Sequence, residues 1–176
     1  MSQRESGYAR KVLDCYETPE WVTLALLDGH LRPPTKVWDP AAGGGKMARA
    51  LGQLDAEIIT SDVKDGANFL AWPLNGRVDA IITNPPYTLA REFIERALMM
   101  MSGVQGQVAM LLRTDYDHAA TRQHLFSRCP AFSRKLVLTK RIVWFDGPGA
   151  APSCNHAWFI WDWQHSGPPT LAYGPR

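Results

Sequence analysis

Short apolar segments rich in β-branched residues alternate along this chain with segments of helical spacing, and this alternation restricts the fold more than any other feature. Lys36–Asp39, Ala56–Ser61, Val78–Thr83 and Gln107–Arg113 read as strands, with helical stretches at Lys46–Leu54 and Leu89–Met101. Strands joined through helices cannot pair as simple hairpins; they build βαβ units and a parallel sheet. Beyond a helical Ala119–Phe126, strand residues recur at Lys135–Leu138, Ile142–Phe145 and Ala157–Trp163 with no long helix between them. The expected architecture is therefore α/β: one mostly parallel twisted sheet flanked by helices, with an antiparallel β-hairpin at its C-terminal end.

Before the first strand, Thr18 suits the N-cap of a helix starting at Pro19, and Trp21, Leu24, Leu27 and Leu31 share its spacing. Pro33 and Pro34 stop it. Residues 1–17 read as a polar arm, 18–165 as the globular domain, and 166–176 as an irregular tail rich in Pro and Gly. A chain of 176 residues suits one such domain. The start of the chain has no apolar signal-like run, and no apolar run is long enough to span a membrane. Cys15, Cys129 and Cys154 never stand in C-x-x-C spacing, and the five His are dispersed. The expectation is a cytoplasmic protein without a metal site.

In a doubly wound sheet the ligand crevice lies beyond the carboxyl ends of the strands. The first strand runs into Asp39-Pro40-Ala41-Ala42-Gly43-Gly44-Gly45, where missing side chains let backbone approach a nucleotide-like ligand. The second ends at Ser61-Asp62, one βαβ step later, where a carboxylate can take ribose hydroxyls. A plain turn with Asp62 as a cap is the competing reading. Gly43–Ala48 also satisfies the dinucleotide pattern G-x-G-x-x-[G/A].

The third strand end is more specific. In Asn84-Pro85-Pro86-Tyr87 each proline holds its predecessor extended, and neither proline donates an N–H. The segment offers acceptors: the Asn84 side-chain oxygen and the Pro85 carbonyl. Two rigid acceptors suit a planar amine with two N–H donors, and accepting both bonds raises electron density on its nitrogen. Tyr87 supplies a flat face for stacking.

On the glycine loop and the Asn-Pro-Pro-Tyr segment, with Tyr16-Glu17-Thr18-Pro19 ahead of them, the sequence resembles the class I S-adenosylmethionine-dependent methyltransferases. It is similar in particular to the DNA amino-methyltransferases acting on adenine N6, and more loosely to small phage- or prophage-associated enzymes. The resemblance implies a Rossmann-like fold, with Asn84, Pro85, Pro86 and Tyr87 as catalytic residues. It implies that Thr18 bonds the cofactor's methionine carboxylate. Asp39, Pro40, Ala41, Gly43 and Gly45 would line its methionine and ribose side. Asp62 would hold the ribose, Val63 would pack on adenine, and Asn68-Phe69 would stand where relatives have Asp-Phe.

The implied reaction is direct attack of an exocyclic amine on the sulfonium methyl group. The implied partner is DNA, single-stranded or with its target base flipped from the duplex. Trp144 or Phe145 is the candidate opposing face for that base. Arg113 and Arg141, within a basic stretch also holding Arg122, Arg128, Arg134, Lys135 and Lys140, are candidates for phosphate contact. No stretch between the motifs could house a target-recognition domain, so weak sequence preference or a specificity partner is expected. Three rivals stand: methylation of RNA bases or of a protein glutamine amide, a nicotinamide-dependent oxidoreductase, and an idle DNA-binding module.

Overall fold

The computed structural model describes residues 16–73, 78–144, 151–152 and 154–175. Its strands are β1 (Lys36–Asp39), β2 (Glu57–Thr60), β3 (Ala80–Thr83), β4 (Gln107–Arg113), β5 (Phe132–Leu138), β6 (His156–Asp162) and β7 (Thr170–Gly174). Its α-helices are α1 (Glu20–Leu27), α2 (Lys46–Leu51) and α3 (Ala90–Ser102). The strands form a single sheet in the order β2-β1-β3-β4-β6-β5-β7. All neighbours are parallel except β6, which runs antiparallel to both β4 and β5. The expected mostly parallel sheet with an antiparallel element near its C-terminal end is what forms.

Side chains alternate across the strands and make two cores. Val108, Met110 and Leu112 of β4 and Ala157, Phe159 and Trp161 of β6 face α3, which contributes Phe93, Ile94, Ala97 and Met101. Ala109, Leu111, Trp158 and Ile160 face the other way, onto Val22 and Leu26 of α1 and Met47 and Leu51 of α2. Both faces of the central strands are thus covered, which is why β4 and β6 read as unbroken apolar runs. The Trp158 indole N–H ties the layers by donating to the Val22 carbonyl at 2.9 Å.

Several details differ from the sequence reading. The first helix ends at Leu27, where Gly29 takes a left-handed φ of 73° and closes the turn before Pro33 is reached. Its most buried positions are Val22, Thr23, Ala25 and Leu26, because a helix apolar on all sides gives no clear face. Ala120–Leu125 is 3-10 rather than α-helix. Residues 141–144 carry no strand. The tail is not irregular: β7 pairs in parallel with β5, and Gly174 at its end lies against Ala25 of α1. A Cβ on Gly174 would stand 3.3 Å from Leu136 and 3.7 Å from Ala25.

The strand order reverses between β1 and β3: β2 follows on one side and β4 on the other. The carboxyl ends of those two strands therefore diverge around a crevice.

Candidate active site

A cleft with a cavity volume of about 130 Å³ opens at that point. Its walls include Thr18, Asp39, Pro40, Ala41, Gly43, Asp62, Val63, Asn68, Phe69, Asn84 and Pro86. Residues from four separate chain segments thus meet in one place. Gly45 lies outside this lining and serves the turn instead, with φ of 79° immediately before α2. Pro85 is buried beside the cleft, and neither it nor Tyr87 lines it.

Asp39 ends β1 and is 1% exposed. Its Oδ1 accepts the Thr83 hydroxyl at 2.7 Å and the Ala41 N–H at 3.3 Å. Thr83 immediately precedes Asn84, so this bond pins the glycine loop to the end of β3. Burial raises the Asp39 carboxyl to about 7, opposed by the Thr83 and Ala41 hydrogen bonds and reinforced by nearby Asp62. Across the loop, Asp62 Oδ2 accepts the Gly43 N–H at 2.8 Å and Oδ1 accepts the Lys64 N–H at 3.1 Å. The Lys64 ammonium bonds the Gly43 carbonyl. A carboxylate has about four acceptor positions, so Asp62 keeps capacity for a ligand while it shapes the loop.

Thr18 is 3% exposed and does not cap α1; Pro19 holds the N-cap position, with no side-chain hydrogen bond there. Thr18 turns into the cleft instead. Its neighbour Glu17 lies over the glycine loop, where a Cβ on Gly44 would fall 1.7 Å from the Glu17 carboxylate. Val63 is 56% exposed at the rim, a free apolar surface on the cleft. Phe69 is buried and forms part of the wall, edge-on to Trp38 at 5.2 Å and 4.8 Å from Phe93 between ring centroids. The Asn68 side-chain oxygen caps the following turn by accepting the Leu70 N–H at 3.0 Å. Its amide group remains as a donor, suited to a ring nitrogen.

Asn84 carries the most informative geometry. Its Nδ2 donates to the Tyr16 carbonyl at 3.2 Å, which can only accept and so fixes which way the amide points. Its Oδ1 is buried and has no hydrogen-bond partner. Leaving such an acceptor unmet costs about 1–3 kcal/mol, a cost a ligand donor would remove. The Pro86 carbonyl is already used, accepting the Leu89 N–H at 2.9 Å.

The remaining candidates lie further out. The Tyr87 hydroxyl meets His156 Nε2 at 3.0 Å. Trp144 packs on Tyr16 and His156. Phe145 lies outside the described residues. Arg113 pairs with Asp115 at 3.2 Å, and Arg141 donates to the Asn155 side chain at 3.0 Å. The basic stretch does not form one phosphate track. Arg122 covers the Tyr116 ring, Lys135 pairs with Asp117 at 2.8 Å, and Arg134 bonds His30 and Gly29 near the start of β5. His156, a lone histidine in an apolar strand, carries no spacing signal in the sequence.

No protein-family model matches the chain, and no curated protein matches it. Solved structures do. A type I restriction-modification system methyltransferase subunit from Streptococcus thermophilus aligns with a TM-score of 0.61 at 12% identity, over 86% of this chain and 46% of its own. The 23S rRNA methyltransferase ErmE aligns at 0.57 with 14% identity, over 88% and 70%. A Listeria monocytogenes protein assigned to the class I S-adenosylmethionine-dependent methyltransferases aligns at 0.56 with 12% identity, over 89% and 65%. The chain thus spans about half the length of the first of these. At such identities the likeness establishes the fold: the chain adopts the Rossmann-like class I methyltransferase architecture. Among the described residues, no helix is long and apolar enough to cross a membrane.

Proposed function

We propose that this chain transfers a methyl group from S-adenosylmethionine to an exocyclic amine of a nucleobase, adenine N6 in DNA. The observation that carries the reading is the Asn84 side-chain oxygen: a buried, unpartnered acceptor on the wall of a cleft that also holds the glycine loop and Asp62. The cofactor would supply a methyl group made electrophilic by its sulfonium charge. Every other task falls to the chain. Asp62 accepts hydroxyl hydrogens of the ribose, Thr18 donates to the carboxylate, and Ala41 and Gly43 line the cofactor's length. Val63 and Phe69 pack on its flat ring, and the Asn68 amide donates to a ring nitrogen.

Asn84 accepts one hydrogen of the target amine. The Pro85 carbonyl accepts the other, since two consecutive prolines hold that stretch extended. These bonds shift electron density onto the amine nitrogen and free its lone pair from the conjugated ring. The contribution is positioning and fixed acceptor dipoles, with the proton lost to water afterwards. Tyr87 presents a face to the base, with Trp144 and Phe145 as candidates for the opposite one. Arg113 and Arg141 stand by as phosphate contacts. An oxidoreductase reading gives the Asn84 acceptor nothing to do.

The test is incubation with methyl-labelled S-adenosylmethionine and DNA, RNA or protein, followed by identification of the product. Label in DNA as N6-methyladenine, lost in Asn84→Ala while cofactor binding persists, is expected. Label in RNA or in protein glutamine would reassign the substrate, and affinity for NAD in place of S-adenosylmethionine would end the proposal. Profiling the methylated contexts is expected to show weak sequence preference for the chain alone.

A further inference from the structure

Tyr87 is held from outside its own segment. Its hydroxyl lies 3.0 Å from His156 Nε2, and the two rings are nearly parallel, 27° apart with centroids separated by 6.0 Å. His156 is 1% exposed and opens β6, directly opposite Arg113 in the ladder. Trp144 packs edge-on against the same imidazole at 5.3 Å, and Tyr16 lies 5.6 Å from Trp144. The Tyr16 carbonyl in turn takes the Asn84 amide hydrogen. These contacts close a circuit from Asn84 through Tyr16, Trp144 and His156 to Tyr87. Pro85 and Pro86 span the gap with two fixed φ angles. The acceptor and the candidate stacking ring are thereby held in one frame.

The chemistry of the frame is specific. Burial lowers the His156 pKa to about 4, so the imidazole is neutral at pH 7 and has one donor and one acceptor nitrogen. A tyrosine side chain has two torsions before its ring is fixed. The hydroxyl lies on the axis of the second torsion, so the hydrogen bond restrains the first, while the near-parallel imidazole limits turning about the second; a ring already in its working position loses less freedom when a ligand stacks on it.

We propose that His156 is a positioning residue: its Nε2 accepts the Tyr87 hydroxyl hydrogen, its ring lies nearly parallel to the tyrosine ring, and together the two contacts set how that ring meets a planar substrate group. The inference rests on the nucleobase reading above. It assigns His156 no contact with substrate, and its whole effect runs through Tyr87.

Two measurements test it. The first needs no substrate: long-range proton–nitrogen NMR of His156 at pH 7. The expected spectrum shows a neutral ring protonated at Nδ1, with an Nε2 resonance that moves in Tyr87→Phe while β4 and β6 amides stay in place. An unmoved Nε2 resonance, or a proton on Nε2, would overturn the proposal. The second compares His156→Leu, which lacks an acceptor, with His156→Gln, which carries one. With an adenine-containing oligonucleotide, His156→Leu should raise KM about tenfold, the equivalent of one lost hydrogen bond, with kcat changed less. His156→Gln should recover most of it, and His156→Leu placed on Tyr87→Phe should add less than twofold. Effects of the two substitutions that multiply in full would refute action through Tyr87. Should His156→Leu fail to fold, His156→Gln and the spectrum decide. Should the wild-type chain methylate no nucleic acid, the nucleobase reading falls, while the spectrum still tests the hydrogen bond.

Discussion

Asp39→Asn should change how stability depends on pH in a calculable way. The Asp39 carboxyl is buried at the end of β1 and titrates at about 7, against 3.8 as an ordinary side chain. The folded state therefore binds this proton more tightly than the unfolded chain. Its stabilisation is full below pH 3.8 and is lost as pH rises, until the folded pKa is passed. Integrated between pH 5 and 7.5, the loss is about 2.5 kcal/mol, from about 1.4 kcal/mol per pH unit in the middle of the window. His156 acts with the opposite sign: with its folded pKa lowered from 6.5 to about 4, it adds stability as pH rises through that range. The wild-type curve alone mixes the two, so the difference between wild type and variant is the useful quantity. Asparagine keeps an oxygen for Thr83 and Ala41 but does not titrate. Urea unfolding followed by tryptophan fluorescence, at steps from pH 5 to 7.5, should show wild type losing about 2.5 kcal/mol relative to Asp39→Asn. A difference constant with pH would refute the reasoning and show Asp39 ionised in the fold throughout.

Three further outcomes are expected. Gly45→Ala should lower stability by about 1–2 kcal/mol in thermal unfolding; the cause is backbone strain at φ 79°, since the nearest atom a Cβ would meet, Arg49 Nη1, is 3.7 Å away. Trp158→Phe removes both the bond to the Val22 carbonyl and part of the ring filling the α1 face, and should cost about 2 kcal/mol in urea unfolding. Asp62→Ala should weaken S-adenosylmethionine binding by at least about tenfold in calorimetry, because it removes a charged acceptor and frees the Gly43 N–H it now holds.

The parts of the fold most legible in the sequence were those whose pattern has one physical meaning. Gln107–Arg113 is a strand to the residue: its apolar run is too short for a buried helix and of the length a strand covered on both faces uses. The glycine loop, Asp62 and Asn84 were readable because strand ends in such a sheet converge, and all line one cleft. Other features depend on partners distant in sequence. Thr18 looks like a cap until the cleft gives its side chain a place. Thr170–Gly174 looks like a loop until β5 supplies a ladder. His156 is silent alone, and takes on meaning only when Tyr87, 69 residues earlier, meets it. The scatter of the basic stretch was equally hidden, because spacing along a chain does not say which side chains find carboxylates.

The placement of β6 has a consequence for how the molecule is made. This strand follows both of its neighbours in sequence, yet it fills the slot between β4 and β5, matching seven residues of the former and five of the latter. While the ribosome is still delivering residues short of His156, the nascent polypeptide carries unmatched strand borders, on one side of the almost wholly apolar β4 and on both sides of β5. Such borders recruit other extended chains. Interrupted translation would thus release sticky fragments, and native assembly of this sheet must wait until β6 has been made.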